Sequence, residues 1–279
     1  MRLDLEDVGY TYGEGTSFAV RALDGVTLAI ERGQLTLVLG ATGSGKSTLL
    51  RVAAGLMPPT EGRVTIDGSP GDGAASMIGR VGLVFQNPQT QLFAESVEAD
   101  VAFGPRNLGM PENEVRRAVR EALEAVELDP AAFGPRSPFA LSGGEAHRVA
   151  IAGVLAMRPE VLLFDEPTAG LDARGREAVT SIVSSARGRA GVVVVTHDAE
   201  GFLGIADRVV MLAHGRPVFS GSRDELMADL SRFEEAGLRV PEVLRAQLLA
   251  EARGIQLGGY SLDVAEAAER IARGWEAGR

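Results

Sequence analysis

Cysteine is absent from all 279 residues, which excludes disulfides, thiolate-held zinc and a cysteine nucleophile and leaves a reducing compartment allowed. Histidine is scarce as well. His147, His197 and His214 are the only three, and no pair of them has metal-ligand spacing. Aromatic residues make up 5% of the chain, so the core is expected to be built from Val, Leu, Ile and Ala. No apolar run comes near the roughly 18 to 20 residues needed to span a bilayer. Asp4 and Glu6 precede any apolar stretch, which speaks against a secretory signal; a soluble, cytoplasmic chain is expected. Positive charge is in deficit too. The 28 Lys and Arg against 38 Asp and Glu leave a formal charge of −10, which argues against a nucleic-acid partner and against direct adhesion to anionic lipid. Glycine is abundant, with 35 residues, and the apolar share of 45% is ordinary for a globular chain. Many tight turns and a sizeable core follow.

The chain begins with short β-rich runs, Leu3 to Leu5 and Thr27 to Ile30, then the apolar Leu35 to Leu39. The last runs into a glycine-rich stretch, after which Leu49, Leu50, Val52, Ala53 and Leu56 recur at helical spacing. Further strands are expected at Val81 to Phe85, Val161 to Phe164 and Val192 to Val195. Continuous apolar runs of this kind suit a parallel sheet covered on both faces, an α/β fold. Residues 87 to 158 read as mostly helical and inserted. They hold an amphipathic helix within Pro111 to Leu128 and a second from about Ser142 to Arg158, where Pro159 ends it. Beyond Ser220, helical patterns lie around Pro241 to Arg253 and Val264 to Trp275. The expected division is a unit over 1–220, with its insertion at about 87–158, and a helical extension over 221–279.

Three sequence features carry chemistry. Gly40-Ala41-Thr42-Gly43-Ser44-Gly45-Lys46-Ser47-Thr48 satisfies G-x-x-x-x-G-K-[ST] between a strand and a helix. Such glycines let backbone N–H groups turn inward around phosphate oxygens at a helix N-terminus, with Lys46 reaching the β- and γ-phosphates and the Ser47 hydroxyl placed for Mg²⁺. Binding of a nucleoside triphosphate is expected. Second, Asp165-Glu166-Pro167 closes a buried strand at the sheet edge where open parallel sheets hold ligands. Asp165 suits the Mg²⁺ shell, through water, and Glu166 suits polarising an attacking water. Alone, these residues read equally as a strand-ending turn. His197, in Thr196-His197-Asp198, ends another strand on that edge and is placed to bond a γ-phosphate, whereas His147 and His214 read as surface or packing residues. Third, Leu141-Ser142-Gly143-Gly144-Glu145 opens a helix with an N-cap serine and two glycines, a second phosphate-binding terminus. One chain thus holds two phosphate cradles and a single carboxylate pair.

Together these motifs resemble the ATP-binding-cassette (ABC) ATPases. Leu141 to Glu145 is similar to the LSGGQ signature, with Glu145 in the final place and Ala146-His147 where basic or long polar residues are common. Val161 to Glu166 matches Walker B, Ala169-Gly170-Leu171-Asp172 the D-loop, His197 the switch histidine and Gln86 the Q-loop glutamine. The resemblance covers about the first 220 residues. It implies a phosphate-loop NTPase core with a mostly parallel sheet, an antiparallel N-terminal β subdomain, an inserted α-helical subdomain and a small helical C-terminal extension. It also implies ATP and Mg²⁺ as cofactors, Gln86 beside Ser47 and Asp165 at the metal, and Glu166, His197 and Gln86 in catalysis. Tyr12 matches the aromatic residue that stacks on adenine, with Tyr10 an alternative. In that family two cassettes pack head to tail, and the signature and D-loop of one, here Ser142 to Glu145 and Asp172, close over ATP held by the other.

Finer features narrow the resemblance to the energy-coupling factor (ECF) and cobalt or nickel importers: Val84 to Phe93, Asp100 to Pro105 and Arg148 to Met157. Tyr12 to Phe18 and Ser137-Pro138-Phe139 resemble the second ATPase of the shared vitamin-uptake module. The implied partners are a second ATPase, self or paralogue, a transmembrane coupling protein and a substrate-binding membrane subunit. The implied place is the cytoplasmic face of the membrane, peripheral and without insertion. The implied cargo is a vitamin or a transition-metal ion. Glu95, Glu98 and Asp100 are candidates for pairing with arginines of the membrane partner. An ABC ATPase of another transporter type is an alternative. A metabolite kinase would account for Lys46 but not for the signature, and a DNA-repair ATPase would need long coiled-coil insertions.

Overall fold

The computed structural model describes residues 1–70 and 74–277. Its centre is a six-stranded sheet in the order Arg216–Ser222, Arg208–Ala213, Leu35–Gly40, Gly191–Thr196, Val161–Asp165, Val81–Val84. All neighbours in it are parallel except the outer hairpin of Arg208–Ala213 with Arg216–Ser222. Thr36 apart, the inner strands follow the apolar runs of the sequence. Leu35–Gly40, Val161–Asp165 and Gly191–Thr196 are buried at every position, as strands covered on both faces must be.

The two-residue period of a strand sends alternate side chains to different cores. Leu37, Leu39, Phe164, Val192 and Val194 pack toward the helical insertion. Val38, Leu163, Val193 and Val195 pack toward the Lys46–Ala53 helix and the N-terminal sheet. That second sheet is antiparallel, in the order Val20–Glu31, Arg2–Tyr12, Glu61–Ile66, Ser69–Pro70. Its strands run well beyond the short runs expected at Leu3–Leu5 and Thr27–Ile30. Their half-exposed stretches and the register shifts near Val8 and Tyr10 mask the alternation.

The insertion is helical over Val97–Asn107, Glu112–Ala125, Pro130–Phe133 and Gly143–Ala156. The Glu112–Ala125 helix buries Val115, Ala118, Val119, Ala122 and Leu123 at three- and four-residue spacing and exposes its charges. The Ala173–Ala186 helix covers the sheet after Walker B. The C-terminal extension holds the Glu242–Glu251 and Val264–Ala277 helices, close to the expected spans. They are joined through Gln247, which is fully buried and bonds the backbone of Ser261 in both directions at 2.7 and 2.9 Å.

Candidate active site

Gly40 to Thr48 wraps the N-terminus of the Lys46–Ala53 helix. Gly43 and Gly45 hold φ of 82° and 101°, values that an L side chain rarely tolerates. A Cβ at Gly45 would sit 2.4 Å from the Ala22 carbonyl, and one at Gly40 would sit 2.3 Å from Ser44 Oγ. The loop therefore admits no side chains at these two positions and keeps its backbone free to face a ligand. Lys46 Nζ donates to the Gly40 and Ala41 carbonyls at 2.7 and 3.1 Å and lies 3.8 Å from Glu166 Oε1. Burial pushes its ammonium below the ordinary value, with Glu166 and Asp165 opposing. No acidic residue occupies the helix's first turn, so its N-terminal field is left for an anion. Ser44 Oγ is buried without a partner among the described residues, a polar atom inside the cradle still to be satisfied. Both features fit a bound phosphate group.

On the neighbouring strand, Asp165 Oδ1 accepts from Ser47 Oγ at 3.1 Å. Burial raises the Asp165 carboxyl above the usual carboxylate range, and the Ser47 hydrogen bond partly offsets this. A hydroxyl and a carboxylate form an all-oxygen pair suited to Mg²⁺, which usually takes one or two protein oxygens and completes its shell with water and substrate phosphates. Among the described residues no cluster of three or more His, Asp or Glu side chains could hold a metal by itself.

Glu166 adopts a left-handed backbone, φ 48°. This turn aims its carboxylate at the end of the adjacent strand, where it accepts from Thr196 Oγ1 at 2.8 Å and His197 N at 3.1 Å and lies 2.9 Å from His197 Nδ1. Val84 pairs with Phe164, so Gln86 leaves the sheet on the same edge and is exposed. Tyr12 lies at the open side, its hydroxyl 3.1 Å from Thr48 Oγ1 and its ring edge-on to Tyr10 at 4.8 Å. The structure thus brings Lys46, Ser47, Thr48, Asp165, Glu166, His197 and Tyr12 to one sheet edge. Thr196, missed in the sequence reading, anchors Glu166. The only signal for it was its place beside His197.

The signature is elsewhere. Ser142 caps the Gly143–Ala156 helix in a reciprocal box with Glu145, whose carboxylate accepts from Ser142 N at 2.8 Å and Ser142 Oγ at 2.7 Å. That bonding, with Arg136 and Arg148 nearby, holds the Glu145 carboxyl below its ordinary value. Gly143 is exposed and Gly144 half-buried. Asp172 caps the next helix by accepting from Gly175 N at 2.8 Å. Both segments line a cavity of about 1030 Å³ to which no phosphate-loop residue contributes. His147 is buried beside it, while His214 is an exposed turn residue. Within one chain the two phosphate cradles do not meet.

A family profile for ABC transporters matches residues 23–169, more than half of the chain. The chain belongs to the ABC transporter family of ATPases. Members of this family bind and hydrolyse ATP, and so does this chain. It is 45% identical over its whole length to an energy-coupling factor transporter ATP-binding protein of Symbiobacterium thermophilum, covering 98% of that protein. It is 42% identical, over 87% of each chain, to the corresponding protein of Clostridium acetobutylicum. Among solved structures it is similar to cbiO1 of Clostridium perfringens, described as part of the ABC transporter complex cbiONQ, with TM-score 0.73, 36% identity and coverage of 86% of this chain and 96% of that one. It also resembles a dimeric ATP-binding cassette in a post-hydrolysis state with ADP and phosphate, with TM-score 0.69, 31% identity and coverage of 79% and 98%. These likenesses place this ABC ATPase in the energy-coupling factor branch.

Proposed function

We propose that this ATPase powers an ECF-type importer, pairing head to tail with a second cassette and driving a transmembrane coupling protein that carries a substrate-binding membrane subunit. The observation that carries the pairing is the separation just described: Ser142 to Glu145 form a finished helix terminus with no phosphate loop of their own chain beside it. A second cassette, whether a paralogue or another copy, supplies the missing phosphates. No described helix is long and apolar enough to cross a membrane, so attachment to the inner membrane face runs through the protein partners. The cargo implied by the importer resemblance is a vitamin or a transition-metal ion.

In this reading the loop amides and Lys46 hold the β- and γ-phosphates, and Tyr12 stacks on adenine. Ser47, Gln86 and, through water, Asp165 would hold Mg²⁺, which would draw charge from the phosphate oxygens. Glu166 takes the proton of a water attacking the γ-phosphorus as the bond to the bridging β,γ-oxygen breaks, and ADP departs with that oxygen. His197, already 2.9 Å from Glu166, bonds the γ-phosphate and reports its presence. Residues 1–220 act as the cassette and 221–279 as an appended helical unit. Glu95 and Glu98 remain candidates for arginines of the coupling protein; Asp100 is already engaged, accepting from Phe93 N and Ala94 N at 2.8 Å. The test is to co-express the tagged chain with a paralogous cassette and a candidate coupling protein and to size the complex in detergent. A complex containing all three supports the proposal, and a chain that stays alone with ATP present contradicts it.

A further inference from the structure

A cavity of about 530 Å³ opens at the end of the sheet opposite the phosphate loop, by the starts of the Val161–Asp165 and Gly191–Thr196 strands, between the helical insertion and the core. Its floor is apolar, formed by Ala122, Leu155, Leu162 and Ile182. Three arginines line it, Arg32, Arg158 and Arg189, against one acid, Glu121. The whole protein carries −10, so a local excess of two positive charges around an apolar hollow is a concentration against the prevailing field. Arg158 is bonded to Glu121 at 2.8 Å. Neither the Arg32 nor the Arg189 side chain is hydrogen-bonded or ion-paired to any other described residue.

The placement of Arg158 is a second, independent observation. It follows the Gly143–Ala156 helix with φ 54°, the left-handed position after a helix that glycine normally fills. Any side chain with a Cβ there costs on the order of 1–2 kcal/mol relative to glycine. The turn directs that side chain to Glu121 on the neighbouring helix and so closes one wall of the cavity.

From this geometry we infer a binding site for a small amphiphilic anion, with a carboxylate or phosphate head among Arg32, Arg158 and Arg189 and an apolar body on the Ala122–Leu162 floor. The size falls in the range of roughly 300–1,000 Å³ common for small-molecule sites, and an apolar lining with a few convergent polar groups is their usual make-up. The occupant would touch the C-terminal end of the signature helix, through Leu155, and the start of the Walker B strand, through Leu162. Those two elements carry Ser142 and Asp165–Glu166 at their other ends, so a ligand here braces the helical insertion against the core. This site is independent of the importer reading, because binding can be measured on the chain alone without nucleotide.

The experiment is calorimetric titration of the full chain with dodecanoate below its micelle concentration, with dodecanol and inorganic phosphate as comparison probes. Saturable 1:1 binding of dodecanoate is expected, with dodecanol and phosphate each at least about tenfold weaker. Arg32→Ala and Arg189→Ala, both exposed and unpaired, should each weaken it about three- to fivefold, the most that a solvent-exposed charge contact usually contributes. Ala125→Phe, at an exposed position on the cavity wall, should abolish it with the melting temperature unchanged. Absence of saturable dodecanoate binding, equal affinity in all three variants, or phosphate binding as tightly as dodecanoate would each overturn the inference.

Discussion

Replacing Glu166 with glutamine separates chemistry from architecture. The carboxylate accepts from Thr196 Oγ1, from His197 N and, according to tautomer, from the His197 ring. Glutamine keeps one carbonyl oxygen for the His197 amide and presents its NH₂ to the Thr196 hydroxyl, which then accepts. The cost to the fold is about one neutral hydrogen bond, roughly 0.5–1.5 kcal/mol. The left-handed backbone at φ 48° is no worse for glutamine than for glutamate, so that strain cancels. What is lost is the ability to take a proton. General-base assistance is worth about 10²- to 10⁴-fold, equivalent to roughly 3–5 kcal/mol on the barrier. ATP affinity should hold or improve, because a negative charge 3.8 Å from Lys46 is removed from the neighbourhood of the phosphates. The assay is turnover of the assembled complex at saturating ATP, alongside nucleotide binding and a thermal melt. Turnover within about threefold of the parent, with binding intact, would refute the role of Glu166 as base.

Lys46→Ala removes the ammonium that ties the loop to its own carbonyls and to the phosphates; ATP affinity should fall at least about tenfold, a charge-assisted contact being worth roughly 1.5–3 kcal/mol, as read by titration with a fluorescent ATP analogue. His197→Ala should slow hydrolysis by about 10²-fold or more while leaving ADP affinity nearly intact, since the ring lies 2.9 Å from Glu166 and in the proposed role meets the γ-phosphate that ADP lacks; parallel ADP titration and ATPase assays check it. Gln247→Leu should destabilise the C-terminal extension by about 2–4 kcal/mol, because it leaves the Ser261 N–H and C=O buried and unpaired; hydrogen exchange over residues 242–277 would locate the loss.

Leu35–Gly40, Val161–Asp165 and Gly191–Thr196 were legible because a strand buried on both faces reads as an apolar run ending abruptly in glycine, acid or histidine. The Arg208–Ala213 and Arg216–Ser222 hairpin was not among the expected strands, although Val209 to Ala213 is a five-residue apolar run; its outer strand, with a single buried residue, carries no such pattern. The Val97–Asn107 helix was hidden by Gly104 and Pro105, which read as breakers. In the structure Gly104 lies against Met157, where a Cβ would approach Cγ to 2.6 Å, and Pro105 is accommodated in the last turn. At the site, loop, acid pair and histidine were visible as local patterns. The Thr196 hydroxyl under Glu166 and the Glu145 carboxylate folded back on Ser142 were not. The first depends on which strands become neighbours, and the second on a side chain bonding its own helix terminus instead of facing outward.

Ser142→Asp bears most directly on whether the site is completed by a second chain. Made together with Glu145→Gln, so that the new carboxylate does not face the Glu145 carboxylate to which Ser142 Oγ now donates at 2.7 Å, aspartate is as good an N-cap as serine and the Gly143–Ala156 helix should stand, but it places a negative charge where, in the proposed pairing, a partner's phosphate lands. Sedimentation of the chain with a second cassette, itself or a paralogue, and with ATP should show nucleotide-dependent pairing and hydrolysis that appears only with pairing. The aspartate variant should still bind ATP at its own loop with unchanged affinity, yet neither pair nor support turnover. Full hydrolysis by an unpaired wild-type chain, or by the variant, would contradict a site shared between two cassettes.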